Sequence, residues 1–61
     1  SAGIFEVEHV TGEVVAFDQG VAVVRFKRQH KENKVKIPRR EIATKEIKVG
    51  QKVGFYRKAK D

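Results

Sequence analysis

The chain has 61 residues, with 14 Lys and Arg against 8 Asp and Glu, and a net charge of +6. A chain this short makes one domain with a thin core, burying only about 60% of its unfolded surface. It has no cysteine, which excludes a disulfide staple and a thiolate metal site and is the expected usage of a cytoplasmic, reducing compartment. No apolar run approaches the roughly 20 residues needed to span a bilayer, and no stretch reads as a signal peptide.

Ser1-Ala2-Gly3 reads like a cloning or protease scar, which would make the chain a domain cut from a longer protein. From there the apolar residues alternate with period two, and valine dominates them. Both features predict an all-β fold. The first strand is expected over residues 4–10, with Phe5 and Val7 on one face and Glu6 and Glu8 on the other. The second covers 13–18, with Val15 and Phe17 inward. Only Gly12 separates these two, so they can also be one long, bent strand. Gln19-Gly20 suits a tight hairpin, Gly20 supplying a positive φ. The third strand covers 21–28, with Val24 and Phe26 inward. Residues 29–33 are polar and suit a longer loop. The fourth strand covers 34–38, with Val35 and Ile37 inward. Pro38 cannot donate to a ladder and ends it. A short turn or 3₁₀ piece follows over 39–44, whose Ile42 would plug the end of the fold. Gly50 marks the turn before a fifth strand over 52–58, with Val53 and Phe55 inward. Residues 59–61 form a tail.

The charge is segregated along the chain. Every Lys and Arg lies at or beyond Arg25, so residues 1–24 sum to −4 and residues 25–61 to +10. Pairing the third and fourth strands so that residue numbers add to 61 sets Phe26 against Val35 and Val24 against Ile37. It also sets Arg25 against Lys36 and Lys27 against Lys34 on the outer face. Like charges directly opposite destabilise a sheet by roughly 0.2–1 kcal/mol per pair. A bound polyanion would relieve them. Five short strands in so short a chain are most economical as a small antiparallel barrel at residues 4–58, SH3-like or OB-like, because closure removes free edges.

Three stretches carry a resemblance: Gly12-Glu13-Val14-Val15-Ala16-Phe17, Val35-Lys36-Ile37, and Ile47-Lys48-Val49-Gly50-Gln51-Lys52-Val53-Gly54-Phe55. Together they resemble cold-shock and S1-type nucleic-acid-binding barrels over about residues 12–55. The last is similar to that family's Gly-Gln-x-Val-x-Phe entry into a strand. KOW, TOBE and TRAM-like modules share such short pieces. The resemblance implies a small barrel that binds RNA or single-stranded DNA in preference to duplex. The aromatic-rich binding strands of cold-shock barrels are replaced here by basic ones, and an extra strand precedes Gly12. An SH3-like strand order is therefore at least as well supported as the alternative, an OB-like one.

The residues expected to contact phosphates are Arg25, Lys27, Lys34 and Lys36, bordered by Arg28 and Lys31. Arg39, Arg40, Lys52 and Lys58 would extend the track, and Tyr56 would be a stacking contact. The acidic N-terminal half would repel nucleic acid from the far side. His9 and His30 stand alone and read as rim or loop residues, so no metal site is expected. No cofactor is expected, no phosphate-binding glycine loop is present, and nothing marks a catalytic cleft, so the reading is not an enzyme. A second reading is an accessory domain. It would bind a partner protein or neighbouring domain through Val14, Ala16, Val21 and Val23 and its acidic strands. Membrane binding is disfavoured, since no amphipathic helix or insertion loop is evident.

Overall fold

The computed structural model describes residues 6–59. Expectations placed on Ile4, Phe5, the 1–3 segment and residues 60–61 lie outside the described residues. The order is β1 (Val7–Asp18), β2 (Val21–Arg28), β3 (Lys31–Pro38), a 3₁₀ turn (Arg39–Glu41) and β4 (Lys52–Lys58). The strands form one antiparallel sheet in the order β3-β2-β1-β4.

Two expectations of architecture are corrected. The described residues hold four strands and not five, and the sheet is open and not a closed barrel, with β3 and β4 as its edges. The expected first two strands are one because Gly12 does not break the chain; it lies inside β1. β1 is shared between two partners. Val7 to Glu13 pair with β4, and Glu13 to Asp18 pair with β2. Beyond Glu13↔Arg25 the β2–β3 hairpin leaves β1, and its core-side residues fold over toward those of β4. Phe26 of β2 and Phe55 of β4 meet edge-to-face with centroids 5.6 Å apart. Two strands separated by a third in a flat sheet lie nearly twice the roughly 4.8 Å strand spacing apart, so this contact marks strong curvature. Gly12 lies beneath the curve. A Cβ there would stand 2.5 Å from Val24 Cγ1 and 2.6 Å from the Arg25 carbonyl oxygen.

The core is Val14, Ala22, Val24, Phe26, Ile37, Ile42, Val53 and Phe55, with Val10, Val35 and Ile47 packed against it. Expected inward positions on β2, β3 and β4 hold, and Ile42 closes one end of the core from beyond the 3₁₀ turn. β1 departs from expectation. Its pairing with β2 shifts between Val14 and Ala16, leaving Val15 as the extra residue of a bulge. Before the bulge Val10, Gly12 and Val14 point inward. After it Phe17 faces Ala22 on the core side, at the rim, and is 39% exposed. Val14 is fully buried rather than outward, and Val15 is half-buried. Strict alternation fails here because a bulge takes two residues to oppose one. Val14 is also anchored by the chain entering β4: its N–H donates to Gln51 O at 2.8 Å, and Gly50 N–H donates to Val14 O at 2.7 Å. Val7, expected inward, is 55% exposed, since the same alternation puts it on the outer face. At the other end Ala59 N–H donates to Glu6 O at 2.8 Å, so the expected tail begins inside the ladder.

The hairpin turns decide the register. Gln19-Gly20 has φ of 53° and 78°, as expected of a two-residue turn. Gln29-His30 is a second such turn, with φ of 53° and 68°. Two consecutive positive φ values are what a type I′ turn requires, because its twist matches that of the strands. The longer loop expected at 29–33 is therefore absent, and β3 begins at Lys31. Pairing numbers add to 59 instead of 61. A slide of two residues keeps every side chain on its face but changes its neighbour.

Candidate nucleic-acid interface

The outer face is read directly from the ladders. Lys34, Arg25, Glu13 and Lys52 form one row across all four strands. Lys27 opposite Glu32 lies to one side of that row, and Lys36 opposite Val23 to the other. Further along β1 and β4 come Thr11 opposite Gly54, His9 opposite Tyr56, and Val7 opposite Lys58. The structure thus brings Arg25, Lys27, Lys34, Lys36, Lys52, Tyr56 and Lys58 to one face. The expected pairs Arg25–Lys36 and Lys27–Lys34 are replaced. The actual register sets Arg25 opposite Lys34, a like-charge pair on this face, while Lys27 faces Glu32.

Two acids answer part of this charge. Arg25 donates to Glu13 Oε1 at 2.7 Å, an ion pair with both side chains about two-fifths exposed, at 43% and 42%. That hydrogen bond, then the charges of Glu13 and Glu32, raises the Arg25 guanidinium above its ordinary pKa. Asp18 shares the face at the far end of β1. Among the described residues Lys34, Lys36 and Lys52 have no ion pair. Where β2 leaves β1, a groove of about 360 Å³ opens, edged by Arg25, Lys27, Lys52 and Thr11, with Glu13 and Glu32 in its wall.

Four expected contributors lie elsewhere. Arg39 is half-buried, and its guanidinium donates to the carbonyls of Ile42 at 3.1 Å, Thr44 at 2.6 Å and Lys45 at 3.0 Å. It orders the segment after the 3₁₀ turn and is not presented to a ligand. Arg40 is exposed on the 3₁₀ turn, off the sheet. Arg28 and Lys31 face each other with core-side parity. Arg28 reaches Glu8 at 2.8 Å, and Arg57 lies over the Phe26 ring at 5.1 Å. These groups close the core's open end. Glu8 therefore shares the core face, and Glu13 sits in the middle of the basic face. The expected segregation of acids to the far side does not occur, because β1 alternates its acids between both faces.

His9 is the residue that reading of the sequence missed. Its ring and that of Tyr56 stand 5.0 Å apart at 68°. The signal was available: pairing β1 with β4 so that numbers add to 65 sets the two rings opposite each other. Among the described residues no group of three His, Cys, Asp or Glu could hold a metal ion, and no helix is long and apolar enough to cross a membrane. No family model, curated protein or solved structure matches the chain.

Proposed function

We propose that this domain binds nucleic acid, without catalysing a reaction, through the outer face of its sheet. The observation that carries the reading is the gathering of six cations, Arg25, Lys27, Lys34, Lys36, Lys52 and Lys58, onto one face of an open sheet. Arg25 opposite Lys34 carries a standing repulsion there. A phosphate between them replaces that repulsion with charge-assisted contacts. Contacts of this kind fix position and carry no base sequence, so affinity is broad across sequences. RNA or single-stranded DNA is favoured over duplex, because an exposed aromatic pair on the same face offers stacking that only unpaired bases can use.

The test is a titration with labelled RNA, single-stranded DNA and duplex at several salt concentrations. With about six phosphates neutralised, log affinity falls against log salt with a slope of about −4 for a single strand. Lys34→Glu together with Lys36→Glu lowers that slope to about −3. Lys34→Glu alone also raises stability by about 0.2–1 kcal/mol by removing a like-charge pair. Lys45→Glu, in the loop before β4, leaves binding nearly unchanged. A wild type with no salt-dependent binding, or reversals without effect, overturns the reading. The rival, an accessory domain docked through Val14, Ala16, Val21 and Val23, loses Val14 to the core. Self-association or partner capture with no polyanion affinity would establish it.

A further inference from the structure

On the outer face, toward the end of β4 away from the cationic row, the side chains change character. Tyr56 is 72% exposed. His9 stands against it edge-to-face, and the His9 imidazole also covers Gly54: a Cβ on Gly54 would lie 2.6 Å from His9 Nε2. The imidazole thus occupies the space a side chain at 54 would fill and buttresses the phenol ring. An aromatic ring held in place loses little freedom when it takes a ligand. β4 is a sheet edge, and alongside it runs a cleft of about 480 Å³, bounded by His9, Tyr56, Lys52, Glu41 and Thr44. That volume lies within the range of small-ligand sites. Lys52 belongs both to this cleft and to the cationic row.

We infer that His9 and Tyr56 form a stacking platform for one unpaired nucleobase, which enters the cleft beside β4 while its flanking phosphate is held by Lys52. The inference rests on the nucleic-acid reading and names the part of the ligand that confers preference for single strands. Cations alone attract any polyanion, whereas a ring platform engages only a base whose face is not already stacked. The platform is tolerant of base identity. Thr44 Oγ1 accepts from Gln51 Nε2 at 3.3 Å and donates to Glu46 O at 3.1 Å. Gln51 Oε1 accepts from Lys48 N–H at 2.9 Å. These side chains are committed to ordering their own loop and are poorly placed to read base edges.

The chain has one tyrosine and no tryptophan, so its intrinsic tyrosine fluorescence reports on this site alone. The experiment compares a short oligonucleotide with the same backbone carrying abasic residues, at low salt. It uses wild type, Tyr56→Phe, Tyr56→Ala and His9→Ala, each checked for native circular dichroism. The expected result is that the base-bearing strand quenches Tyr56 and the abasic strand does not. Tyr56→Ala weakens binding of the base-bearing strand by roughly 5- to 150-fold, the equivalent of about 1–3 kcal/mol per stacked base. It leaves the abasic strand unaffected. Tyr56→Phe retains affinity, and His9→Ala shows a smaller loss of the same kind. Equal wild-type affinity for both strands without quenching overturns the stacking site and leaves phosphate binding standing. Absence of binding to either strand overturns both.

Discussion

Arg25 and Arg39 carry the same side chain in two different situations. Arg25 is exposed on the sheet, one carboxylate beside it and a lysine across from it. The hydrogen bond and charge of Glu13 raise its pKa. The stabilisation linked to that shift is fully present below arginine's ordinary value and is lost only as pH rises through the raised one, so no switch falls near neutrality. Arg39 spends its donors on three backbone carbonyls. Hydrogen bonds to charged groups contribute about 1.5–3 kcal/mol net, so Arg39→Ala is expected to destabilise the fold by about that much. Arg39→Lys recovers little, because an ammonium lacks the planar fork. Denaturant unfolding measures both variants. The salt slope of binding for folded Arg39→Ala matches wild type; a slope reduced by about 0.7, one phosphate's worth, would place Arg39 in the interface instead. Composition and position gave no sign of this difference, since both residues follow apolar strand segments in a basic stretch. What separates them is the loop from Ile42 to Lys45 folding back onto Arg39.

At the scale of elements, β2 and β4 were legible to the residue, because alternation there runs unbroken between clear turn signals. β1 was half legible. The weak break at Gly12 left one long strand open as an alternative to two, but its place between two partners was not legible, and the bulge at Val15 reversed the inward set from Val15 to Val14. A run of Val-Val-Ala reads equally well in either register, so no side-chain pattern could mark the extra residue. The β2–β3 turn was misread for a different reason. Gln29-His30 lacks the glycine or asparagine that usually announces two positive φ values, yet it adopts them. Face assignments survived because the slide was even. Gly12 shows how the elements depend on one another. Gly12→Ala would press a methyl against Val24 and the Arg25 carbonyl, and overpacking of this kind costs about 1–3 kcal/mol. Thermal or urea unfolding tests it; a Gly12→Ala variant as stable as wild type would show that β1 and β2 do not approach this closely.

For the whole molecule, openness and charge go together. Among the described residues the sheet has four strands and two edges, which is a liability for edge-to-edge aggregation, and lysines on an edge strand discourage it. β3 carries Lys31, Lys34 and Lys36 along one such edge, so part of its charge has a protective use whatever the ligand. The row formed by Lys34, Arg25 and Lys52 is different, because it runs across the strands into the interior of the face. The basic face was foreseeable from the alternation of cations in strands whose other side is valine and phenylalanine. Its acidic centre at Glu13 was not, because that required knowing that β1 lies between β2 and β4. The most direct measurement is a nuclear magnetic resonance shift map of the backbone amides and lysine side chains during titration with a short single-stranded oligonucleotide at low salt. The expected shifts concentrate at Arg25, Lys27, Lys34, Lys36, Lys52 and Tyr56 and fade as salt is raised. Shifts confined to residues 16–23 or to the loop at 45–50, or no shifts at all, would contradict it.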